Sequence, residues 1–441
     1  MSDSTLKFDL AWHVGASQDP VERATFAALT ITAGPDQIPI TEVDDALART
    51  VRSSIYVPVV PLATWLIANW WRLRWEPRSD MLSAGWLQAH SLAAVSADVA
   101  WPALQITSDG DFIKLEARAE RIRDVAAVRY LRDVEARIAS LDYERAIDGF
   151  LAQVEARIAS FSSGARVIAD LLEELREERA DPQLARACKL QALAGIDPGV
   201  APDSWLRAAE SIVDQAGAIS GAEVVAAVPA LREGVDGARH AITSMQNAPT
   251  SVRLTVENAA AAVPGELPWQ RGRRLAQAFR RDRAAGDGRV SDKWLGDCLD
   301  VRLPMPMTQG PLDRGLRGGF RDGTPGGRTR VLVTSGLLQQ QRFYLGRLIA
   351  AAMITAEDER VLPVTNAQTA YQKFERSFAT ELLCPWAALE AYTDEHGTDE
   401  EGVAAAATHF EVSEHMVLTA LVNNHKIGRH RLPSSGSFAA A

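Results

Sequence analysis

Groups that carry chemistry are scarce in this chain. Among its 441 residues there are three cysteines and eight histidines. Cys188, Cys298 and Cys384 lie far apart and form no Cys-x-x-Cys pair, which excludes a disulfide framework and a cysteine-rich metal knot. Such usage fits reduced thiols in a cytoplasmic setting. Cys384, at the end of an apolar stretch before Pro385, reads as a buried, inert thiol. No His-Glu-x-x-His occurs, and no histidine lies between His240 and His396. A Gly-x-Ser-x-Gly elbow is also absent, which removes the commonest serine-hydrolase turn. The glycine-rich stretch from Gly310 to Gly327 is not followed by Gly-Lys-Ser/Thr and lacks the strand-loop-helix order of a dinucleotide fold, so it reads as a loop. Long apolar runs are missing too. The most apolar segment, Ile55 to Trp71, contains Pro58, Pro61 and Asn69 and is closed by Arg72 and Arg74. A membrane span needs about 20 uninterrupted apolar residues, so a buried strand followed by a helix is expected instead. The opening from Met1 to Lys7 is polar, and no leader is expected there.

What remains is ordinary globular composition, with 47% hydrophobic and 24% charged residues. The length allows two or three domains. A net charge of −10 argues against wholesale coating of nucleic acid, though not against a local basic patch.

Residues 1–120 predict an α+β domain. Phe8–Val14 and Phe26–Thr32 have strand composition, with Ile38–Ile40 as a further pairing segment. Leu62, Trp65, Leu66, Trp70 and Leu73 follow helical spacing. Trp101–Thr107 and Phe112–Leu115 flank Ser108-Asp109-Gly110-Asp111, a hairpin signal. Six of the eleven tryptophans fall between Trp65 and Trp101. Large aromatics dominate core burial, so a tryptophan-rich core is the plain expectation. The sharper one is a recognition surface, with Trp70, Trp71, Arg72 and His90 as its candidate contacts. Adjacent on a helix, Trp70 and Trp71 point apart, so one of them is expected to face outward or toward a second domain.

Residues 121–262 read as a helical connector and a candidate homodimer interface. The phrase Val134-Glu135-Ala136-Arg137-Ile138-Ala139-Ser140 recurs word for word at Val154–Ser160. Without further copies it makes no solenoid, and a long helix or helical hairpin with surface ion pairs explains it better. Beyond a boundary at Pro264–Pro268, helices are expected over Trp269–Arg283, Ser291–Cys298 and Gln339–Met353, and a strand over Arg328–Thr334.

Three phrases in this last part carry a resemblance. They are Trp269-Gln270-Arg271-Gly272-Arg273-Arg274-Leu275-Ala276, then Arg342-Phe343-Tyr344-Leu345-Gly346-Arg347-Leu348-Ile349-Ala350-Ala351, then Phe378-Ala379-Thr380-Glu381-Leu382-Leu383-Cys384-Pro385. Together they resemble the ImmA/IrrE family of bacterial metallopeptidase-like regulators, over residues 265–430. The resemblance implies a zincin-like fold, and it also shows what is lost. Where active members place two zinc-binding histidines and the glutamate between them, this chain has Arg347, Ala351 and Leu348. Two histidines four apart on a helix can both reach a zinc ion, and the glutamate takes a proton from its bound water. A guanidinium repels a cation, and Leu and Ala have no lone pairs to offer. The nearest carboxylate to the third ligand position is Glu375, one residue closer to Phe378-Ala379 than that pattern has it. By residue type alone, Glu375 is expected to be a solvated or salt-bridged helix acid, and Glu381 to be structural.

The expected architecture is therefore α+β and predominantly helical. A tryptophan-rich domain (1–120) precedes the connector (121–262), a degenerate zincin-like ImmA/IrrE domain (263–430) and a disordered tail (431–441). No metal or cofactor is expected. The resemblance implies a catalytically inactive regulatory or interaction protein, in a setting of stress response, toxin–antitoxin pairs or phage defence. Its former cleft would bind a protein partner through Arg347, Glu375 and Arg342.

Two alternatives stand beside this. Arg271, Arg273, Arg274, Arg280, Arg281 and Arg283, with Arg314, Arg317, Arg321, Arg328 and Arg330, could make a phosphate or nucleic-acid patch, although charge runs are usually solvated faces. The tail Ala404–Ile427 has helix-turn-helix phrasing, with Ser413 capping the second helix, but that helix is not basic. The other alternative is a metallopeptidase with relocated ligands. His409 and His415, six apart, do not share a helical face and read as surface residues or caps.

Overall fold

Alternation of apolar and polar residues from Thr5 to Trp12 makes β1, whose Leu6 is buried while Lys7 and Asp9 are exposed. This is seen in a computed structural model that describes residues 5–79, 83–120, 128–159, 165–256, 263–309, 315–323 and 327–432. The chain forms two compact units, Met1–Leu206 and Arg207–Ala441. It is 52% helix and 17% strand, so the fold is α+β and predominantly helical. No helix among the described residues is long and apolar enough to cross a membrane.

In the first unit β1 is followed by α1 (Pro20–Ala24), β2 (Phe26–Gly34), β3 (Ile38–Pro39), β4 (Val43–Asp45), β5 (Thr50–Arg52) and β6 (Ile55–Pro58). Next come α2 (Val60–Ala68), α3 (Trp70–Trp75), α4 (Ala84–His90), β7 (Gln105–Ser108), β8 (Phe112–Ala117), β9 (Val128–Tyr130) and β10 (Val134–Ala139). Three helices close the unit: α5 (Ser140–Ile158), α6 (Ala165–Ala180) and α7 (Pro182–Leu193). The strands form three antiparallel sheets, with β2 between β1 on one side and β3 and β6 on the other, then β10-β8-β7, then β5-β4-β9. The expected hairpin around Asp109-Gly110 is the β7–β8 connection, where Asp109 Oδ1 accepts from the amides of Asp111 and Phe112.

Three expectations change here. The first copy of the repeated phrase, Val134–Ala139, is strand β10 and not part of a helix, because its apolar residues at every second position pair against β8. Neither Trp70 nor Trp71 faces outward. Both are buried, in edge-to-face contact at 4.8 Å. Trp71 Nε1 donates to Glu178 at 2.6 Å, and the Arg179 guanidinium lies 4.5 Å over the Trp70 ring. Trp75 sits between the cations of Arg74 (3.8 Å) and Lys189 (3.9 Å). The tryptophans thus hold α6 and α7 onto the domain, and large faces of this kind are worth most when covered. For the same reason residues 121–262 do not stand apart as a connector. Tyr143, Phe150, Leu172, Leu175 and Cys188 belong to the same core as Leu29, Ile31 and Trp65. The remainder belongs to the second unit, the division falling within α8 (Asp203–Ala216).

The second unit continues with α9 (Ala218–Ala227), α10 (Gly234–Gln246), β11 (Ser251–Arg253), α11 (Pro268–Asp282), α12 (Asp292–Leu299), β12 (Leu316–Arg321) and β13 (Arg328–Val331). Then follow α13 (Leu338–Ile354), β14 (Val361–Thr365), α14 (Ala370–Leu383), α15 (Trp386–His396), α16 (Glu400–Phe410) and α17 (Glu414–Asn423). One antiparallel sheet runs β11-β13-β12-β14. Helix α13 is the hub. Every residue from Leu345 to Met353 is buried, the mark of a helix covered on all sides. Leu345, Leu348 and Ile349 are fully buried, each worth about 1.5–3 kcal/mol of removed apolar surface.

Helix α14 starts where Thr369 Oγ1 accepts from the Gln372 amide. It approaches its neighbours through two glycines. A Cβ at Gly346 of α13 would lie 3.0 Å from the Ala379 Cβ, and one at Gly272 of α11 would lie 2.5 Å from the Phe374 carbonyl oxygen. The expected helix-turn-helix forms as α16–α17, with Ser413 accepting from the Met416 amide. The tail from 433 to 441, Arg314, and Ser160 at the end of the repeated phrase lie outside the described residues.

Candidate functional site

Position 347 is where α13, β14 and α14 meet. Arg347 retains only 3% of its surface, and its hydrogen bonds go inward. Nη2 donates to the Thr365 carbonyl at 2.6 Å and to Gln372 Oε1, while Nε donates to Glu375 Oε2 at 3.3 Å. Gln372 extends the network: its oxygen also accepts from the Thr365 amide at 2.9 Å, and its nitrogen donates to Glu223 Oε2 and to the Pro363 carbonyl. Glu223 Oε2 accepts from Thr369 Oγ1 at 2.6 Å as well.

Glu375 is salt-bridged, as its residue type suggested, but it is not solvated. It is fully buried, and its Oε1 has no hydrogen-bond partner. Burial pushes its carboxyl well above the usual carboxylate range, with the Arg347 charge pulling the other way. The Tyr371 hydroxyl, one helical turn earlier, is also buried without a partner, and burial raises it too. Burial draws the Arg347 guanidinium down, against the raising effect of Glu375.

A zinc ion does not fit these residues. Arg347 brings a cation, Leu348 packs toward Gly319 of the sheet, Ala351 is a fully buried methyl, and Glu375 is the one carboxylate at a position the resemblance assigns to a ligand. Among the described residues no three His, Cys, Asp or Glu side chains gather as a relocated ligand set. The expected open cleft between α13 and α14 is absent as well. The Gly346–Ala379 contact closes it, so Arg347 and Glu375 cannot receive a partner's side chain without the helices parting. Arg342 is fully buried and joins three segments: Asp292 at 2.5 Å, Glu411 at 2.7 Å and the Val290 carbonyl at 2.7 Å. It is a structural tie, not a ligand contact.

The arginine patch is mostly spent inside the unit. Arg274 pairs bidentately with Glu266 at 2.7 Å, Arg273 donates to Asn424 and faces Glu381, and Arg271 lies over Phe374. Arg280 is buried among the carbonyls of Leu382, Gly286 and Gly288. Arg281 and Arg283 are exposed, and Arg283 donates to the Thr255 carbonyl at 2.7 Å, so the run reads as a solvated face. Arg321, Arg328 and Arg330 likewise bind carbonyls or aspartates. Burial raises the Cys384 thiol to about 12, consistent with an inert core thiol.

In the first unit, Arg72 and His90 do come together, around a carboxylate that sequence reasoning missed. Glu76 Oε2 accepts from Arg72 Nε at 2.7 Å and faces His90 Nε2 at 2.9 Å. His90 Nδ1 faces the Ile106 carbonyl at 2.8 Å, so both ring nitrogens point at oxygens that can accept a hydrogen bond. Arg72 also reaches Asp197 at 2.9 Å. Burial alone would raise Glu76, but hydrogen bonds from His90 and Arg72 hold it below the usual range. The four-residue spacing of Arg72 and Glu76 was a usable helical signal. Nothing local pointed to Asp197, Gln372 or Glu223.

No protein-family model, curated protein or solved structure matches this chain. The resemblance to ImmA/IrrE proteins therefore rests on the residues quoted for it.

Proposed function

We propose that this chain is a catalytically inactive, ImmA/IrrE-like regulatory protein that acts by binding another protein, in bacterial stress response, toxin–antitoxin control or phage defence. One observation carries the reading. The place the resemblance assigns to a catalytic metal is filled by the buried Arg347–Gln372–Glu375 network, beside Leu348 and Ala351. A site closed in this way neither ligates a metal nor activates a water, so selection on the fold falls on its surface. Partner contacts then lie on the exterior of the units and not between α13 and α14.

Restoring the ligands tests the resemblance. The variant Arg347→His/Leu348→Glu/Ala351→His is expected to bind zinc at about one ion per chain, with Glu375 as the third ligand, while the wild type binds none stoichiometrically. Stoichiometric zinc in the wild type, with peptide cleavage that a chelator abolishes, would overturn the inactive reading. A folded triple variant that ignores zinc would remove the resemblance. Affinity purification of the full chain from its host is expected to recover one protein at stoichiometric yield. Retention of nucleic acid with a steep salt dependence, and no protein, would favour the nucleic-acid alternative.

A further inference from the structure

Strand β1 is paired on one side only. Its partner is β2, in the register Thr5↔Gly34 to Trp12↔Ala27, and no strand among the described residues lies along its other edge. The bonding phase of that register follows from one contact. His13 N donates to the Phe26 carbonyl at 2.9 Å, so the odd-numbered residues of β1 bond to β2. The even residues Leu6, Phe8, Leu10 and Trp12 turn their amides and carbonyls to the open edge. Ile31 agrees: opposite Phe8, it directs its own amide and carbonyl away from β1, to Thr41 Oγ1 and the Ile40 amide. The side chains of Phe8, Leu10 and Trp12 are partly buried against the core, Phe8 lying 4.9 Å from the Phe150 ring of α5 and the Arg157 guanidinium 5.2 Å over Trp12.

An eight-residue open edge is a template for another strand unless it is blunted. Here the sequence specifies the strand that fits. Lys7 and Asp9 are exposed, neither has an ion-pair partner among the described residues, and they stand symmetrically about Phe8. We infer that this edge pairs with the β1 edge of a second copy of the chain, antiparallel, with Phe8 opposite Phe8 on the two-fold axis. In that register Leu6 faces Leu10 of the second copy, and about six main-chain hydrogen bonds form from groups already aimed outward. Lys7 then faces Asp9 of the second copy at both ends. Both are non-hydrogen-bonded positions, where side chains approach most closely. Shifting the register by two residues in either direction sets Asp9 against Asp9 or Lys7 against Lys7. Charge therefore selects a single alignment.

Sedimentation equilibrium on the full chain tests this. The wild type is expected to be a dimer at micromolar concentration. Lys7→Asp or Asp9→Lys turns both attractions into repulsions and is expected to weaken the dimer by about 30-fold. Mixing the two single variants restores complementarity at both ends, so a one-to-one heterodimer should form, and the double swap Lys7→Asp/Asp9→Lys should dimerise like the wild type. Both sites are exposed, and unchanged circular dichroism would show that the variants fold. A monomeric wild type, or a dimer indifferent to Lys7→Asp, would overturn the inference.

Discussion

The two units bury charge in opposite ways. Around Glu76, one carboxylate receives donors from Arg72 and His90, and Asp197 takes up the remaining positive charge. Around Glu375, one guanidinium spreads its bonds over a carbonyl, an amide oxygen and two long contacts to one carboxylate oxygen. The first arrangement holds its glutamate below the ordinary value of 4.5, and the second holds its glutamate above it. Burial raises both carboxyls, and the hydrogen bonds that Glu76 receives from His90 and Arg72 turn the balance there, while the Arg347 charge does not do so at Glu375. Glu76 is locked as an anion, whereas Glu375 can accept a proton when its partner is lost.

Breaking the first cluster is expected to cost most. Glu76→Gln leaves Arg72 and His90 facing each other without a full counter-charge, and should destabilise the first unit by about 3–5 kcal/mol, read by urea unfolding followed through its tryptophans. Arg347→Met should cost less, about 1–2 kcal/mol, because Met fills the space and Glu375 takes a proton. An equal loss in the two variants would erase the distinction. Glu375→Gln is expected to change stability least, by under about 1 kcal/mol, since it mimics the protonated acid.

The pH dependence sharpens the same contrast. The Glu76 contribution is present above the unfolded value of 4.5 and is lost as pH falls through its lower folded value. The Glu375 contribution is fully present below 4.5 and is lost as pH rises through its higher folded value. Hydrogen exchange read separately in β7 and α14 should show opposite slopes, and each Glu→Gln change should flatten its own. Parallel slopes would mean that both carboxylates are ionised alike.

Much of the fold was legible. The helices α11, α12 and α13, the β7–β8 hairpin and the Ser413 cap all lie within a few residues of their expected places, because each carries a local signal of period, turn or cap. The loss of zinc ligands was legible for the same reason: two ligands and the base fall within one helical turn. Burial of Arg347 was not. A guanidinium in a sequence looks like a surface group. Gln372, which accepts from it, lies 25 residues away along the chain, and Glu223, which accepts from Gln372 in turn, lies 149 residues from Gln372. Of the two placements expected for Trp70 or Trp71, the outward one is not found, since both pack on Glu178 and Arg179 of the segment that read as a separate connector.

The repeated phrase shows the boundary between the two kinds of information. Val134–Ala139 is strand β10, burying Val134, Ala136 and Ile138 in alternation against β8. The second copy lies in α5, where Val154 and Ile158 are buried one turn apart. The words themselves fixed which residues are apolar, and Val-x-Ala-x-Ile satisfies a period of two while Val-x-x-x-Ile satisfies a helical turn. The choice came from outside the phrase. An open edge of β8 gave the first copy inter-strand partners for its backbone, and the preceding turns of α5 gave the second copy a helix already nucleated, so propagation was favoured. Sequence set the composition, the caps, the turns and the missing ligands. Tertiary structure decided which charges were buried together, because that depends on donors and acceptors brought from distant segments into one place without water.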